Sequence, residues 1–353
     1  MAKKYLLLYR QIKEKILSGE YRAGDKLPSK RVTADKSGFS IITVEQAYAM
    51  LIDEGYIHAR QRSGYFVCKP ELFPGNAKSV KKPVFPLLDE SVPPPHGDFE
   101  YSLWFKTVRK VISEKSDQLF AKSPGKGCAV LRNAIAEYLL RYRNMVAPPE
   151  RIIVGSGAEQ LYETVVKILG RDKVYGIEHP SYSQIEAVYS GEGVKIKKLA
   201  MGSDGIEENA LKHTSLDVLH VTPFRSYPTN ITTSAQKRRE YLKWAKSGRY
   251  IVEDDFNSEF FTPGQPVESL YSLDSADSVI YINTFSKSLS PSMRIGYMIL
   301  PTTLMPLYEK KLGQFSCSVP VLDQYVLAEF ISSGNFERHL NRMRRKMKKE
   351  VTK

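Results

Sequence analysis

Apolar side chains recur every three or four residues near the start of the chain, which predicts a set of amphipathic helices. The first helix would bury five of them: Tyr5, Leu8, Tyr9, Ile12 and Ile16. A short second helix is predicted over residues 30–36 and a third over about 42–54, with Ser40 as a suitable N-cap. The third helix would bury one apolar stripe: Val44, Ala47, Tyr48 and Leu51.

Two short β-rich runs follow, at residues 56–59 and 65–67, and a basic turn joins them. Helix, turn, helix and basic hairpin is the layout of a winged helix-turn-helix, whose third helix enters the major groove of DNA. Residues 1–70 also carry 13 Lys and Arg against 7 Asp and Glu. This surplus suits a polyanion, so the pattern predicts binding to double-stranded DNA.

The pattern changes after residue 68. Residues 69–98 hold seven prolines and suit an extended, semi-rigid linker. From there helical patterns alternate with six short apolar runs, at residues 151–154, 173–177, 217–221, 250–253, 279–283 and 295–300. Such alternation predicts a mostly parallel sheet covered by helices. We therefore expect a DNA-binding domain at 1–68, a linker at 69–98 and an α/β domain at 99–353.

Composition limits the alternatives. No apolar run is long enough to span a membrane, and three scattered cysteines favour neither a disulfide framework nor a metal site, so we expect a cytoplasmic protein without a metal. The net charge is +13, and residues 336–353 carry 8 basic against 2 acidic residues. This basic tail is either a second contact to nucleic acid or a solvated amphipathic helix.

Three patches in the head carry a family resemblance: residues 24–31, residues 43–56 and residues 63–67. They are similar, in this order, to the GntR family of bacterial regulators. The resemblance implies that six residues contact DNA: Arg31, Ser40, Thr43, Gln46, Arg62 and Gly64. Other roles stay open, since Arg31 could be a surface charge, Ser40 only a cap, and Thr43 and Gln46 only solvated. Ile41 departs from the family, which often has arginine there.

In the body, Lys287 lies in a loop of small hydroxyl residues directly after an apolar strand, and Arg294 follows seven residues later. Hydroxyls and a guanidinium can hold a phosphate while an amine reaches a carbonyl, so the loop suits a lysine that bonds covalently to a phosphorylated aldehyde. Three further motifs precede it, at residues 154–160, 179–182 and 252–260. The first is a strand–glycine–helix turn, whose free N–H groups can bind an anion.

These four motifs resemble the pyridoxal phosphate (PLP) site of fold-type I aminotransferases. With the head, the whole chain resembles the MocR subfamily of PLP-dependent regulators. The resemblance implies that Lys287 bonds to PLP, Asp254 faces the pyridine nitrogen and Tyr182 stacks on the ring. It assigns the phosphate to six residues: Ser156, Gly157, Ala158, Thr284, Ser286 and Arg294. It also implies a homodimer.

Three departures bear on function. The family usually has tyrosine at Phe256, where it bonds the ring hydroxyl, and His-Gln and glycine within the loop at residues 225–230. Relatives also continue into a further subdomain that holds an arginine for the substrate carboxylate, so we expect most of that subdomain to be absent here. The favoured function is a transcription regulator that senses PLP or an amino compound and is not itself an enzyme. An active aminotransferase and a regulator with a cofactor-free body remain the alternatives.

Overall fold

The computed structural model describes residues 4–61, 63–68, 99–212, 215–246, 248–260 and 268–351. The chain divides into two compact units, Met1–Ser91 and Val92–Lys353. We call them the head and the body. The predicted linker, residues 69–98, and Arg62 lie outside the described residues, so the domain bounds stay a prediction.

The head contains three helices and one hairpin. The helices are α1 (Lys4–Leu17), α2 (Lys30–Ser37) and α3 (Ile41–Asp53), and the strands are β1 (Ile57–Arg60) and β2 (Gly64–Val67). The two strands pair antiparallel, with Ile57 opposite Val67 and Arg60 opposite Gly64. The winged helix-turn-helix that the sequence predicts is therefore confirmed.

The core of the head forms where the amphipathic faces of α1 and α3 meet. All four residues of the predicted α3 stripe are buried, and they pack with Leu8, Tyr9, Ile12 and Ile16 of α1. Tyr5, the fifth residue expected to be buried on α1, is only half-buried. Ser40 caps α3 as expected, because its Oγ accepts a hydrogen bond from the backbone N–H of Thr43 at 3.3 Å.

The body is built on one mixed sheet. Its strands are β3 (Ile152–Gly155), β4 (Val174–His179), β5 (Lys195–Gly202), β6 (Gly205–Ile206), β7 (Val218–Val221), β8 (Tyr250–Asp254), β9 (Val279–Thr284) and β10 (Gly296–Ile299). Their order across the sheet is β3-β10-β9-β8-β7-β4-β5-β6. Strands β9, β8, β7, β4 and β5 are parallel neighbours, whereas β10 runs antiparallel to both β3 and β9. Strand β3 therefore shares the direction of β9.

Helices cover both faces of this sheet. They are α4 (Tyr101–Leu119), α5 (Ala129–Arg143), α6 (Ala158–Leu169), α7 (Ser183–Gly191), α8 (Glu208–Lys212), α9 (Ala235–Ala245), α10 (Leu270–Leu273), α11 (Met305–Leu312), α12 (Val321–Ser332) and α13 (Asn335–Val351). The central strand β9 is buried along its whole length. Tyr281 enters one core cluster, while Ile280 and Ile282 enter another, as expected for a strand covered on both faces.

All six predicted strands are present, but β5 and β6 were not predicted. Strand β5 carries Lys195, Lys197 and Lys198, which are all exposed, and it lies near one edge of the sheet beside the two-residue β6. Lysines are common on edge strands because they discourage pairing with other chains. The same lysines remove the apolar pattern from which a strand is predicted.

The basic tail forms the amphipathic helix α13. Phe336 and Leu340 on this helix are buried in the body's core, and Arg344 Nε donates a 2.6 Å hydrogen bond to the carbonyl of Glu259. In the described part of the chain, no helix is both long and apolar enough to cross a membrane. Within the same residues, no cluster of His, Cys, Asp and Glu is arranged to hold a metal ion.

Candidate functional site

The carboxyl ends of β3, β8 and β9 meet at one edge of the body's sheet. Ligands of open α/β sheets bind at this edge, because the loops that leave the strands enclose a crevice there. Here the loops form a cavity of about 380 Å³, within the size range of small-molecule sites. Its lining residues are Ala158, Glu159, Tyr162, Tyr182, Tyr227, Asp254, Phe256, Thr284, Ser286, Lys287 and Arg294.

Asp254 supplies a buried carboxylate at the end of β8. It is only 3% exposed, and its Oδ2 accepts a hydrogen bond from the hydroxyl of Tyr162. His220 Nε2 lies 3.9 Å from the same oxygen, and its Nδ1 is 2.8 Å from the hydroxyl of Tyr189. The other oxygen, Oδ1, is buried and has no hydrogen-bond partner among the described residues. An unpaired buried oxygen is costly, which indicates that a ligand donor completes it.

Lys287 lies on the loop that follows β9. Its amine donates a hydrogen bond to Oδ1 of Asn257 and lies 5.2 Å from the ring centre of Phe256 and 5.4 Å from that of Phe260. Part of the side chain is open to solvent, yet burial lowers the pKa of the Lys287 amine, and the positive charge of Arg225 lowers it further. A lowered pKa leaves more of the amine neutral near pH 7 and so able to attack a carbonyl.

The start of α6 forms the anion-binding end of the cavity. Gly157 has φ +98°, and a Cβ there would lie 2.8 Å from Nη2 of Arg294, so glycine lets the arginine approach the helix. Arg294 pairs with the carboxylate of Glu159 in the first turn of that helix. This ion pair marks the position that a bound anion would compete for.

Tyr182 and Tyr227 stand at the mouth of the cavity. Both are exposed, and their ring centres lie 6.3 Å apart in an edge-to-face arrangement at 78°. Tyr182 directly precedes α7, and Tyr227 comes from the loop whose sequence departs from the aminotransferase pattern. A flat ligand in the cavity would therefore meet an aromatic surface.

Seven of the nine residues predicted for the cofactor line this one cavity: Ala158, Tyr182, Asp254, Thr284, Ser286, Lys287 and Arg294. Ser156 and Gly157 lie just outside the lining set. The backbone N–H of Ser156 already donates to Oε1 of Gln160 at 3.2 Å. The lining brings the predicted residues together, and whether they bind the cofactor stays a prediction.

Sequence reasoning missed four polar contributors: Glu159, Tyr162, Tyr227 and Asn257. Tyr162 is one helical turn beyond Ala158 on α6, and Asn257 is three residues beyond Asp254. Glu159 and Asn257 lie inside two of the recognised motifs, which was the available signal for them. Their partners, however, depend on which strand neighbours which, and that information is absent from a local pattern.

The donor set fits PLP. The unpaired Oδ1 of Asp254 suits a protonated ring nitrogen, because a carboxylate accepts from such a group strongly. Arg294, the hydroxyls of Thr284 and Ser286, and the start of α6 suit a phosphate. The Lys287 amine lies in the same cavity. Phe256 has no hydroxyl, so it cannot bond the ring oxygen.

The candidate DNA surface of the head centres on the start of α3. Arg31, Ser40 and Gln46 are exposed, and Thr43 is half-buried with its Oγ1 2.9 Å from Oγ of Ser40. Gly64, at the start of β2, has φ +110°, a conformation that favours glycine. Arg62 lies outside the described residues. The other five residues predicted to contact DNA lie on α2, near the start of α3 and on the wing.

Two apolar side chains also face solvent at this surface. Ile41 is 48% exposed and Ile42 is 68% exposed, both in the first turn of α3. Nearby, Lys30 of α2 forms an ion pair with Glu45 of α3. The first turn of α3 therefore carries less unpaired positive charge than it would if position 41 were arginine.

Fold and cavity define the class of protein: a winged-helix regulator whose second unit is an aminotransferase-type α/β body. The chain belongs to the bacterial regulatory proteins of the gntR family over residues 4–67 and to the aminotransferase class I and II family over residues 98–353. Both assignments agree with the resemblance found from the motifs. The family assignment, with its MocR-type arrangement of head and body, is therefore confirmed.

Curated relatives share this arrangement along nearly the whole chain. The uncharacterized HTH-type transcriptional regulator YdeL of Bacillus subtilis is 33% identical over 98% of this chain and 77% of its own length. The probable rhizopine catabolism regulatory protein MocR of Rhizobium meliloti is 29% identical over 96% of this chain and 73% of its own length.

Solved structures support the fold of the body. The α-aminoadipate aminotransferase LysN of Thermus thermophilus, crystallised with N-(5'-phosphopyridoxyl)-L-leucine, has a TM-score of 0.62 and 27% identity. The match covers 70% of this chain and 64% of LysN. The chain spans less than two thirds of that enzyme.

Proposed function

We propose that this protein regulates transcription by binding DNA through its head and PLP, or an amino compound that reacts with PLP, through its body. One observation carries the proposal. A DNA-binding type of head shares a chain with a cavity that gathers a lysine of lowered pKa, a buried carboxylate with one unpaired oxygen, and an arginine at a helix start. Each group matches one part of PLP.

When bound, PLP would supply an aldehyde that reacts with amines and a ring that withdraws electrons. Lys287 would hold it covalently, while Asp254 keeps the ring nitrogen protonated and Tyr182 covers one face of the ring. Arg294 would exchange its Glu159 partner for the phosphate. The remaining phosphate contacts would come from the hydroxyls of Thr284 and Ser286 and from Ser156, Gly157 and Ala158 at the start of α6.

The cofactor part is tested by spectroscopy and mapping. Purified protein titrated with PLP should gain a visible absorbance band, and borohydride should fix the cofactor on the peptide that contains Lys287. Lys287→Ala should lose both signals, whereas Lys310→Ala, which removes an exposed lysine of α11, should keep them. A protein that stays colourless in excess PLP, or that is labelled at another lysine, contradicts the proposal.

The DNA part is tested with duplexes selected from a random pool. We expect six residues of the head to contact the selected DNA: Arg31, Ser40, Thr43, Gln46, Arg62 and Gly64. Affinity should fall with salt, because phosphate contacts release counterions. Equal affinity for selected and random duplexes at every salt concentration would exclude sequence-specific DNA binding by the head.

Regulation requires that the ligand change DNA binding. A ligand shifts an equilibrium only as far as its affinities for the two states differ. DNA affinity should therefore be measured with and without PLP, and with PLP plus each amino acid. If all these affinities agree, the body does not regulate the head.

A homodimer would present two heads to a two-part DNA site, since dimeric DNA-binding proteins match the symmetry and spacing of the half-sites. We propose this state for the protein, with domains bounded near residues 68 and 99. Light scattering of the free protein and of its complex with a selected duplex tests it. Two heads on one duplex is the expected stoichiometry.

An active aminotransferase is the second candidate, favoured by the lysine and carboxylate in an aminotransferase-type body. Phe256 weighs against it, because the ring hydroxyl then lacks a hydroxyl partner at that position. Mixing PLP-loaded protein with single amino acids, and then assaying for keto acid, separates the two. Conversion at about 1 per second or faster would establish an enzyme.

A cofactor-free body is the third candidate. It is favoured by the ion pair between Arg294 and Glu159, which satisfies the arginine without a phosphate. The unpaired oxygen of Asp254 argues against it, since nothing among the described residues completes that group. The PLP titration described above decides between them.

A further inference from the structure

A second cavity of about 220 Å³ adjoins the first and shares Tyr227, Phe256 and Lys287 with it. None of its described lining residues belongs to α6, and Arg294 does not line it. Its lining residues are Arg225, Ser226, Tyr227, Pro228, Asn230, Phe256, Asn257, Phe260, Lys287 and Met347. We call it the Arg225 chamber.

The Arg225 chamber holds two cationic side chains and no acidic one among its described lining residues. Within the described part of the chain, the guanidinium of Arg225 makes no ion pair and no hydrogen bond. Its Cζ lies 5.2 Å from the ring centre of Phe224, which supports one face of the group. A stacked guanidinium with free N–H groups beside a lysine is an anion-binding arrangement.

The backbone of Arg225 is fixed before any ligand arrives. Its N–H donates to Oγ1 of Thr232 at 3.3 Å, and its carbonyl accepts from Nδ2 of Asn257 at 3.0 Å. Its φ is +49°, in the left-handed region that side chains other than glycine seldom adopt. Strain of this kind persists where the surroundings enforce it, and it is concentrated at functional sites.

The adjoining loop is anchored in the same way. The backbone of Ser226 forms an antiparallel bridge with that of Ile231. The Oγ of Ser226 donates a 2.6 Å hydrogen bond to the buried carboxylate of Glu178. The loop is therefore a closed turn tied to β4, and Arg225 projects from a rigid base. Preorganised groups of this kind lose little entropy when they bind a ligand.

The remaining walls are largely apolar, from Phe256, Phe260, Met347 and the ring of Tyr227. A ligand that fills the chamber would have an anionic end at Arg225 and an amine at the Lys287 end, where PLP's aldehyde would lie. We infer that the Arg225 chamber binds an amino acid and that Arg225 is its carboxylate-binding residue. This inference rests on the proposed function, because it names the amino compound that the body senses.

The test compares amino acids with amines of the same skeleton. PLP-loaded protein is titrated by calorimetry with the twenty common amino acids, and with ethylamine, isopentylamine and phenethylamine as partners of L-alanine, L-leucine and L-phenylalanine. We expect saturable binding of at least one amino acid. Its advantage over the amine of the same skeleton should be roughly ten-fold or more, the effect of a charge-assisted hydrogen bond.

Arg225→Gln should bring this advantage close to one-fold, whereas Arg225→Lys should keep part of it. Arg239→Gln, which removes an exposed arginine of α9, is the matched control and should behave as wild type. The PLP absorbance of each variant is recorded first, to show that the cofactor site is intact.

Three outcomes overturn the inference: no amino acid binds, amines bind equally well, or Arg225→Gln keeps the preference. If PLP absorbance is normal in these cases, the inference fails while the proposed function stands. A wild-type protein that never acquires PLP absorbance would instead refute the proposed function, and with it the site's role in sensing.

Discussion

The Asp254→Asn variant shows whether the unpaired carboxylate oxygen of Asp254 matters for PLP binding or for the stability of the protein. The Asp254 carboxylate is buried, accepts one hydrogen bond from Tyr162 and leaves Oδ1 without a partner in the described residues. Asparagine has nearly the same shape, and its amide oxygen can still accept from Tyr162. The substitution therefore removes the charge and little else.

Two opposing effects set the stability of the variant without ligand. Removing a buried, incompletely paired charge is favourable, while the new amide N–H groups need partners and cost about 1–3 kcal/mol if they find none. With the amide oxygen at the Oδ2 position, the new N–H groups lie where Oδ1 is, which has no hydrogen-bond partner among the described residues. We expect the free energy of unfolding to change by no more than about 1 kcal/mol.

PLP affinity should respond far more strongly. The variant loses a charge-assisted hydrogen bond to the ring nitrogen, a contribution of about 1.5–3 kcal/mol. At 1.4 kcal/mol per factor of ten, the affinity for PLP should fall roughly 10- to 150-fold. Titration of the apo protein by absorbance measures this, and thermal unfolding without PLP measures stability.

Asp255→Asn is the matched control one residue along. The Asp255 carboxylate pairs with Arg143 at 2.9 Å, with both side chains about 5% exposed or less, and it accepts from the hydroxyl of Tyr281 at 2.7 Å. Breaking a buried pair costs about 3–5 kcal/mol, so its midpoint of unfolding should fall on the order of 10 °C. If Asp254→Asn lost stability to this degree but kept its PLP affinity, the assignment of Asp254 to the ring nitrogen would be wrong.

Three further predictions concern other parts of the chain. Arg31→Ala should weaken binding to a selected duplex by about 1–3 kcal/mol if Arg31 contacts a base, measured by fluorescence anisotropy with random duplex as control. Ile41→Arg should steepen the dependence of log affinity on log salt by about 0.9, the effect of one added phosphate contact. Burial raises the pKa of Glu178 to about 7, so its contribution to stability is full below about pH 4.5 and is lost as pH rises through 7. In Glu178→Gln, the free energy of unfolding measured with denaturant should depend less on pH between about 4.5 and 7. An unchanged pH dependence would contradict its assignment to Glu178.

The features that were predictable from the sequence are those encoded within one element. The α3 stripe is an example: Val44, Ala47, Tyr48 and Leu51 share one face because of helical spacing alone. Lys287 is another, because an apolar run at residues 279–282 followed by a loop of hydroxyl residues is a local pattern. Because parallel strands end at the same edge of the sheet, the loops that follow them meet there.

The contacts that escaped prediction join residues far apart in sequence. Tyr162 and Asp254 are 92 positions apart, and Arg294 and Glu159 are 135 apart. Nothing in either local pattern specifies these pairs, because they depend on the order β3-β10-β9-β8 across the sheet. The Arg225 chamber was missed for the same reason, although the departure of its loop from the family pattern was visible.

Ligand binding to the body and regulation of the head are distinct effects, and they are linked by reciprocity. A ligand that completes Asp254 stabilises the body by mass action, about 2.7 kcal/mol at a hundredfold excess over Kd, even if the head is unaffected. A shift in unfolding temperature with PLP therefore demonstrates binding only. Regulation requires that PLP change DNA affinity, and by linkage DNA must then change PLP affinity by the same factor. Measuring both factors on the full chain gives two independent values that must agree, so a mismatch would expose an artefact that either experiment alone would hide.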